Sequence, residues 1–337
     1  MANILVVGAG LSGATVARLL AEKGHSIVII DQRSHIAGNA YDRINEHGIR
    51  IHEYGPHLFH TSDEKVVQFL SNFTEWTPYF HKVKAMLSDG QLVTLPVNIE
   101  TLNIVGKENI VDTFFRPYTK KMWGLDIEQL DPTIIQRVPV RNDMNDLYFP
   151  NDKFQALPRQ GYTEMISNML NHKNIQIKLS TKFEKNFEKD FHHTFNSMSI
   201  DEYFENCYGV LPYRSIRFHH FNLPIPQAYP VATVNFTHSG PFTRVTEWKN
   251  LPEHSQNPFW TSLTIEEPCD FSENNFERYY PVKDMNGNNR RLYNKYQELN
   301  PLNVTFIGRC GLYAYLDMHQ AVSSAFAAVK SFSNTNN

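Results

Sequence analysis

The chain has 337 residues, and 41% of them are hydrophobic, which is enough to form a sizeable core divided among two or three domains. Charged residues make up 20% and the formal net charge is −3, so the strongly basic balance of nucleic-acid-binding proteins is excluded. The three cysteines are too sparse and too widely spaced for a disulfide framework or a metal site. No apolar stretch approaches the ~18 residues of a membrane span, and we predict a cytoplasmic protein.

The first thirty residues predict a βαβ unit. Residues 3–7 form a short apolar run that ends at a glycine, which is typical of a buried parallel strand. Residues 11–23 then carry apolar side chains at helical spacing and are followed by Gly24, a common helix stop. A second apolar strand at residues 26–30 ends at Asp31.

Later segments predict further elements in chain order. Helices are expected at residues 64–73 and 98–123, a hairpin at 83–95, and an antiparallel sheet from residues 138–158 and 211–282. A helix at 163–171 leads to a strand at 175–179, and a strand at 304–307, a Gly-Arg turn and a helix at 317–332 return to the opening pattern. We therefore expect the first and last segments to meet in one sheet.

The turn between the first strand and the first helix carries a dinucleotide-binding fingerprint. Gly8-Ala9-Gly10-Leu11-Ser12-Gly13 is G-x-G-x-x-G, and it follows a strand, opens a helix and has Asp31 at the end of the next strand. Gly8 permits the tight turn, Gly10 lets the backbone approach a pyrophosphate at the helix N-terminus, and Gly13 lets the helix pack on the strand. Asp31 would accept hydrogen bonds from the adenosine ribose.

The fingerprint alone does not choose between NAD and FAD. Residues 31–40 continue the second strand into a glycine-containing loop that would lie along a flavin cofactor, and the late block at 304–320 also suits a flavoprotein. We therefore predict FAD. The predicted cofactor-binding residues are Gly8, Gly10, Leu11, Ser12, Gly13, Asp31, Gln32, Gly38, Asn39, His57, Arg309, Asp317 and Met318.

Ten sequence blocks, in order, resemble the UDP-galactopyranose mutase family. They are HIAGNAYD, IHEYGPHLFHTSD, PYTKKMWG, RVPVR, ALPRQGYTEMI, LPYRSIRF, NFT, PFTRVTEWK, YYPV and YLDMHQ. The resemblance implies an α/β fold in which a Rossmann-like FAD-binding domain has an inserted helical domain and an antiparallel β-sheet domain. The expected limits are 1–65, 160–210 and 300–337 for the FAD domain, 66–80 and 97–135 for the helical domain with a mobile lid loop, and 81–96, 136–159 and 211–299 for the sheet domain.

The resemblance also implies the reaction and its partners. The family interconverts the pyranose and furanose forms of a nucleotide sugar, most often UDP-galactose, and N5 of reduced FAD attacks the anomeric carbon as a nucleophile. An external reductant, NAD(P)H or a flavin reductase, would keep the FAD reduced, and a homodimer is a further expectation. Alternatives are the same chemistry on UDP-N-acetylgalactosamine or a dTDP-6-deoxyhexose such as dTDP-fucose, a flavin amine-oxidase-type oxidoreductase, and a non-catalytic flavin-binding relative.

The family's site residues carry over to matching positions. Arg137 and Arg244 would clamp the diphosphate, His57 would lie near N5, and Trp123 would cover the sugar; these four are the predicted catalytic residues. The remaining predicted substrate-binding residues are Phe114 and Tyr118, which would flank the uracil, together with Thr119, Tyr148, Asn235, Tyr280, Tyr315, Asp317, His60 and Arg214. No metal is expected, because His57 and His60 have no third ligand near them in the sequence.

Three positions depart from the family pattern. The segment from Leu95 to Trp123 is shorter than in bacterial members, which affects the region expected to carry the dimer contacts and the lid. Asn196-Ser197 stands where relatives have a glycine-containing segment near the flavin, and Ala37 replaces a glycine of many members.

Overall fold

A computed structural model of the chain describes residues 1–129 and 140–335. The helices are α1 (Leu11–Glu22), α2 (Glu64–Leu70), α3 (Ile99–Val105), α4 (Arg116–Trp123), α5 (Tyr162–Leu170), α6 (Ile200–Tyr203), α7 (Asn288–Glu298), α8 (Gly308–Gly311) and α9 (Met318–Thr335). The strands are β1 (Asn3–Val7), β2 (Ser26–Ile30), β3 (Asp42–Ile44), β4 (Arg50–His52), β5 (Phe59–Thr61), β6 (Trp76–Pro78), β7 (Val83–Met86), β8 (Leu92–Leu95), β9 (Phe154–Pro158), β10 (Ile175–Lys178), β11 (His193–Asn196), β12 (Tyr213–Leu223), β13 (Thr233–Phe236), β14 (Arg244–Glu247), β15 (Thr261–Asp270), β16 (Tyr280–Pro281) and β17 (Val304–Phe306).

A parallel sheet in the order β10-β2-β1-β11-β17 holds the two ends of the chain together. The side chains of β1 alternate between two apolar layers. Ile4 and Val6 belong to the large core that includes α1 and α9, whereas Leu5 and Val7 pack with phenylalanines on the opposite face. Because both faces are buried, the strand is continuously apolar in sequence. The predicted opening unit, and the meeting of the first and last segments in one sheet, are confirmed.

A larger, seven-stranded sheet has the order β16-β12-β15-β14-β13-β7-β8. Its pairs are antiparallel except for β13 and β7, which run parallel. The prediction of an antiparallel sheet is therefore confirmed except for the parallel pair of β7 and β13. β7 and β13 are far apart in sequence, and no tight turn requires them to run in opposite directions. The fold is thus the predicted α/β arrangement with an antiparallel sheet.

Several local predictions differ from the structure. The predicted helix at 98–123 is interrupted: α3 ends at Val105, and a 3₁₀ turn and a π-helical turn at 111–115 precede α4. β9 pairs with β5 and β6 in a small separate sheet, and residues 140–153 contain no strand. The predicted Gly-Arg turn at 308 is the short helix α8. Among the described residues, no helix is both long and apolar enough to cross a membrane.

Candidate active site

A cavity of about 250 Å³ lies at the carboxyl ends of the parallel strands. Its walls include the residues directly after β1, β2 and β11, namely Gly8, Asp31 and Ser197. This edge is where open α/β sheets bind nucleotides. The predicted cofactor-binding residues that line it are Gly8, Gly10, Asp31, Gln32, Gly38 and Asn39.

The fingerprint glycines have the close contacts that their predicted roles require. A Cβ on Gly13 would overlap the carbonyl oxygen of Gly8, so only glycine lets α1 pack this closely on β1. Gly8 has a φ of +99°, a value that suits glycine. Gly10 precedes α1, and no side chain caps that helix, which leaves its first N–H groups available to an anion. These features fit a dinucleotide pyrophosphate.

Asp31 organises the loops around this cavity. One carboxylate oxygen accepts a hydrogen bond from the Ala9 N–H at 2.8 Å, and the other accepts one from the Arg33 N–H at 2.9 Å. A carboxylate has about four acceptor positions, so both oxygens can still accept from a ribose. Asp31 therefore ties the fingerprint turn to the loop after β2 and also fits its predicted role.

The two departures beside the cofactor cavity are accommodated. Ser197 Oγ donates a hydrogen bond to the Val7 carbonyl at 2.7 Å, and neither Asn196 nor Ser197 has a left-handed backbone that would call for glycine. Ala37 does have a left-handed φ of +74°. That conformation costs an alanine about 1 kcal/mol relative to glycine, which a folded domain can sustain.

A second cavity, of about 480 Å³, adjoins the first. Consecutive residues of α8 line the two spaces: Arg309 faces the larger cavity and Cys310 faces the cofactor cavity. The structure brings together at the larger cavity the predicted residues His57, His60, Tyr118, Trp123, Tyr148, Asn235, Arg244, Tyr280, Arg309, Tyr315, Asp317 and Met318.

Arg244 places a positive charge at the larger cavity, between a buried carboxylate and a tyrosine hydroxyl. Its Nε lies 3.2 Å from a carboxylate oxygen of the buried Glu266, and its terminal NH2 group donates to the Tyr118 hydroxyl at 2.9 Å. Burial works to lower the pKa of Arg244, but Glu266 and the neighbouring tyrosines hold that pKa well above its usual value. The guanidinium is therefore a permanent positive charge, and 24% of the side chain remains exposed.

Strand β13 points two uncommitted polar atoms toward the same cavity. Thr233 and Asn235 are two residues apart and therefore face the same side of the strand. Thr233 Oγ1 and Asn235 Oδ1 are buried and make no hydrogen bond within the described protein. Buried polar atoms normally have partners, so this pair fits a polar ligand.

Aromatic rings and Arg309 form another wall. Tyr280 and Tyr315 stack with ring centroids 5.0 Å apart, and Trp123 lies 6.2 Å from Tyr280. The Arg309 guanidinium lies over both tyrosine rings and donates to the Leu316 carbonyl at 2.7 Å. This wall therefore carries a second positive charge, on Arg309, which lines the cavity.

Three histidines line the cavity in different states of hydrogen bonding. His57 Nδ1 donates to the Gly55 carbonyl at 2.9 Å, and burial lowers the pKa of His57 to about 4. His60 Nδ1 donates to the Asp152 carboxylate at 2.6 Å, and its ring stacks on Phe149 with centroids 3.5 Å apart. Burial and the nearby Arg244 charge lower the pKa of His81 to about 3. His57 and His81 are therefore neutral at pH 7.

Several predicted residues lie elsewhere. Phe114 is buried in an apolar cluster with the β7–β8 hairpin, and Thr119 is buried outside the cavity lining. Arg214 donates to the carbonyls of Met122 and Lys121 at the end of α4. Leu11, Ser12 and Gly13 lie within α1 behind the cofactor cavity. Arg137, the other predicted half of the diphosphate clamp, lies outside the described residues.

Part of the lining is not predicted from the sequence. The larger cavity is also lined by His81, Met122, Phe149, Thr233 and Tyr279. Thr233 could have been found from strand alternation with Asn235, and Phe149 from its place beside Tyr148. His81 gave no signal, because a lone histidine before a predicted hairpin has no distinctive pattern. Within residues 1–129 and 140–335, no cluster of three or more His, Cys, Asp or Glu residues could hold a metal ion.

Comparisons with known proteins identify the family. The family model described as UDP-galactopyranose mutase matches residues 113–315, and the model of an NAD(P)-binding Rossmann-like domain matches residues 6–73. A probable UDP-galactopyranose mutase of Klebsiella pneumoniae is 34% identical over 371 residues, covering 98% of this chain and 94% of its own length. The chain belongs to the UDP-galactopyranose mutase family. Members are FAD-dependent isomerases that interconvert pyranose and furanose nucleotide sugars, so this chain is a flavoenzyme isomerase.

Other relatives show how far family membership reaches. A dTDP-fucopyranose mutase of Escherichia coli is 33% identical over an alignment of 384 residues, which covers 100% of both chains. Because this chain has only 337 residues, some residues of that relative are aligned with gaps. A crystal structure of reduced UDP-galactopyranose mutase superposes with a TM-score of 0.74 at 13% identity, over 99% of this chain and 94% of its own. A putrescine oxidase superposes at 0.58 with 11% identity, over 98% of both chains. The fold is thus shared with oxidases, and the family assignment separates this chain from them.

Proposed function

We propose that this family member interconverts UDP-galactopyranose and UDP-galactofuranose. The observation that carries the proposal is the partly buried guanidinium of Arg244, which lines a cavity adjoining the dinucleotide cavity. A permanent cation flanked by tyrosine hydroxyls fits a diphosphate. UDP-N-acetylgalactosamine and dTDP-6-deoxyhexoses such as dTDP-fucose are the related substrates, since curated relatives include both a UDP-sugar and a dTDP-sugar mutase.

The cofactor cavity fits FAD, with Gly10 and the uncapped start of α1 at the pyrophosphate and Asp31 at the ribose. Reduced FAD, when bound, would supply the nucleophile for the anomeric carbon through N5. The chain's own residues bind the nucleotide sugar, orient it and hold its charge. An external reductant, NAD(P)H or a flavin reductase, is proposed as the partner that keeps the cofactor reduced.

Arg244 is proposed to bind the diphosphate in both its attached and its departing states. The negative charge on the diphosphate increases when its bond to the sugar breaks, and a fixed guanidinium stabilises that increase without reorganising. Arg137 is proposed as the second arginine on the basis of the family resemblance. Tyr280, Tyr315 and Tyr148 line the same cavity. Their hydroxyls are proposed to donate to the diphosphate oxygens.

The histidines His57 and His60 are proposed to form hydrogen bonds with the hydroxyls of the sugar. Because His57 Nδ1 donates to a carbonyl, its Nε2 has a free lone pair that can accept a hydrogen bond. Asp152 orients the His60 ring through its contact with Nδ1. Asn235 and Thr233 add unpartnered polar atoms that fit ring hydroxyls. Trp123 is proposed to cover the sugar from the end of α4.

The larger organisation also remains a proposal. The three domain ranges, the lid loop, a homodimer and a cytoplasmic location follow from the resemblance and composition described above. Arg214 and Phe114 lie outside the cavity lining, and we propose that they support α4 and the hairpin next to it without contacting substrate.

A substrate panel under reducing conditions tests the function. FAD-loaded protein is reduced with dithionite and incubated separately with UDP-galactofuranose, UDP-N-acetylgalactofuranosamine and dTDP-fucofuranose, and the nucleotide sugars are resolved by chromatography. We expect conversion of UDP-galactofuranose to be fastest and to need no oxygen. Faster conversion of the dTDP sugar would reassign the substrate, and no conversion of any of the three would refute the proposed function.

A further inference from the structure

Lys121 joins α4 to the connection between β13 and β14. Its Nζ donates three hydrogen bonds, to the carbonyls of Phe236 at 2.8 Å, His238 at 2.9 Å and Phe242 at 2.9 Å. An ammonium group has three N–H donors, so every donor of Lys121 is used on this one turn. The neighbouring Lys120 is exposed on the same helix, and its ammonium group makes no hydrogen bond or ion pair with the described residues.

The carbonyls held by Lys121 are next to the ligand-facing residues of the hairpin. Phe236 directly follows Asn235, and Phe242 is two residues before Arg244. Asn235 and Arg244 are paired across β13 and β14, and both line the larger cavity. The turn therefore directly adjoins the strand ends that carry both side chains.

A second contact links the same helix and hairpin. Tyr118 lies one turn before Lys121 on α4, and its hydroxyl accepts from Arg244 at 2.9 Å. At the end of α4, Arg214 holds the carbonyls of Lys121 and Met122, and Gly124 ends the helix with a φ of +68°. Arg214 therefore binds the C-terminal turn of α4, and Lys121 connects that turn to the hairpin by hydrogen bonds.

Charge supports this arrangement. Burial lowers the pKa of Lys121 to about 8, so the side chain is cationic at neutral pH. Hydrogen bonds from a charged donor are stronger than neutral ones. The three carbonyls have no other cation bonded to them among the described residues, so removing the ammonium would leave the turn without this attachment.

We propose that Lys121 is a positioning residue for nucleoside diphosphate binding, which holds the β13–β14 turn so that Arg244 and Asn235 face the ligand. Lys121 itself does not line the cavity. The inference rests on the proposed function, because it assigns Arg244 to a nucleoside diphosphate.

The test compares binding of UDP and of dTDP to full-length, FAD-loaded protein by calorimetry. The variants are Lys121→Met, which keeps the length without the charge, Lys121→Arg, which keeps the charge, and Lys120→Met as the matched control. We expect Lys121→Met to weaken diphosphate binding about tenfold, equivalent to about 1.4 kcal/mol. Lys121→Arg should recover part of the loss, and Lys120→Met should bind as the wild type does.

A double-mutant cycle separates positioning from general loss of structure. If Lys121 acts through Arg244, Lys121→Met should have little further effect in an Arg244→Ala background. Equal effects in both backgrounds, or unchanged binding by folded Lys121→Met, would overturn the inference alone. Wild-type protein that binds neither diphosphate would overturn the proposed function and this inference with it. If Lys121→Met does not fold, Lys121→Gln takes its place in the cycle and is judged in the same way.

Discussion

At the residue scale, Arg244 neutralises a buried carboxylate while it faces the ligand cavity. Glu266 is only 3% exposed, and burial raises the pKa of Glu266 while the Arg244 charge opposes that rise. A buried ion pair loses most when one partner is removed, because the other charge is left without compensation. Arg244 therefore affects both binding and stability, and the two effects can be separated by pH.

Arg244→Ala should reduce turnover by at least about 100-fold and keep the bound FAD, as measured by activity and flavin absorbance. It should also lower the free energy of unfolding at pH 7.5 by up to about 3 kcal/mol. With Arg244 gone, the folded-state pKa of Glu266 rises further above its unfolded value. Stability is then retained below the unfolded pKa and lost as pH rises through the folded pKa.

The deficit relative to wild type should accordingly be smaller at pH 5 than at pH 7.5 in urea unfolding. Adding Glu266→Gln should recover stability at pH 7.5 but not turnover. An equal deficit at both pH values would contradict the role given to Glu266.

At the element scale, two glycines of the turn between β1 and α1 have different roles, one in folding and one in the proposed cofactor binding. Gly13 is required by the protein itself, since its Cβ would overlap the Gly8 carbonyl. Gly10 has an ordinary extended backbone, with φ −78° and ψ −175°, and its Cβ would lie in normal contact, 3.7 Å from the Gly38 Cα. The protein alone would accept a Cβ at Gly10, so we attribute the need for glycine there to the proposed pyrophosphate.

Gly10→Val should therefore give folded but colourless protein, whereas Gly13→Ala should lower the free energy of unfolding by about 1–3 kcal/mol through overpacking. The measurements are FAD stoichiometry from absorbance and urea unfolding of the apoprotein. Gly90→Ala is the control for a glycine-to-alanine change in an open turn, where an added Cβ meets no neighbouring atom. Gly90 has a φ of +89°, so this control measures the cost of backbone strain without overpacking. Full FAD occupancy in Gly10→Val would refute the fingerprint assignment.

At the scale of the whole molecule, several histidines are buried in the neutral state. Burial lowers the pKa of His81 to about 3 and that of His193 and His254 to about 4, and it lowers the pKa of His52 as well. His52 and His254 share a hydrogen bond between their Nε2 atoms at 3.1 Å, which requires that one of those nitrogens is unprotonated.

The protein should therefore lose stability in mild acid. The unfolded chain binds protons at these histidines near pH 6.5 and the folded chain only near pH 3–4, so the free energy of unfolding falls as pH drops through this window. Each pKa unit contributes about 1.4 kcal/mol per histidine. Urea unfolding at pH 7.5, 6.0 and 5.0 measures the effect, and stability that stays constant over this range would contradict it. His254→Gln should reduce the slope.

Local features of the sequence were sufficient to predict the cofactor half. The parallel strands β1 and β2 are almost continuously apolar because both of their faces are buried, and the fingerprint is a set of glycines at fixed spacing between a strand and a helix. Such features depend on adjacent residues and are visible without a fold. The family resemblance added most of the ligand-cavity residues, including Arg244, Tyr280 and Asn235.

Only the tertiary structure decided what surrounds those residues. Several of these contacts join segments that are distant in the chain. They include the parallel pairing of β7 with β13 and the contact of the Glu266 carboxylate with Arg244. They also include the placement of His81 and Thr233 at the cavity and the contact of Arg214 with the end of α4. Their physical basis is the direction and register of strand pairing, which depend on the packing of the whole sheet. The sequence by itself therefore determined the cofactor turn and the family, and the sheet decided which side chains meet at the ligand.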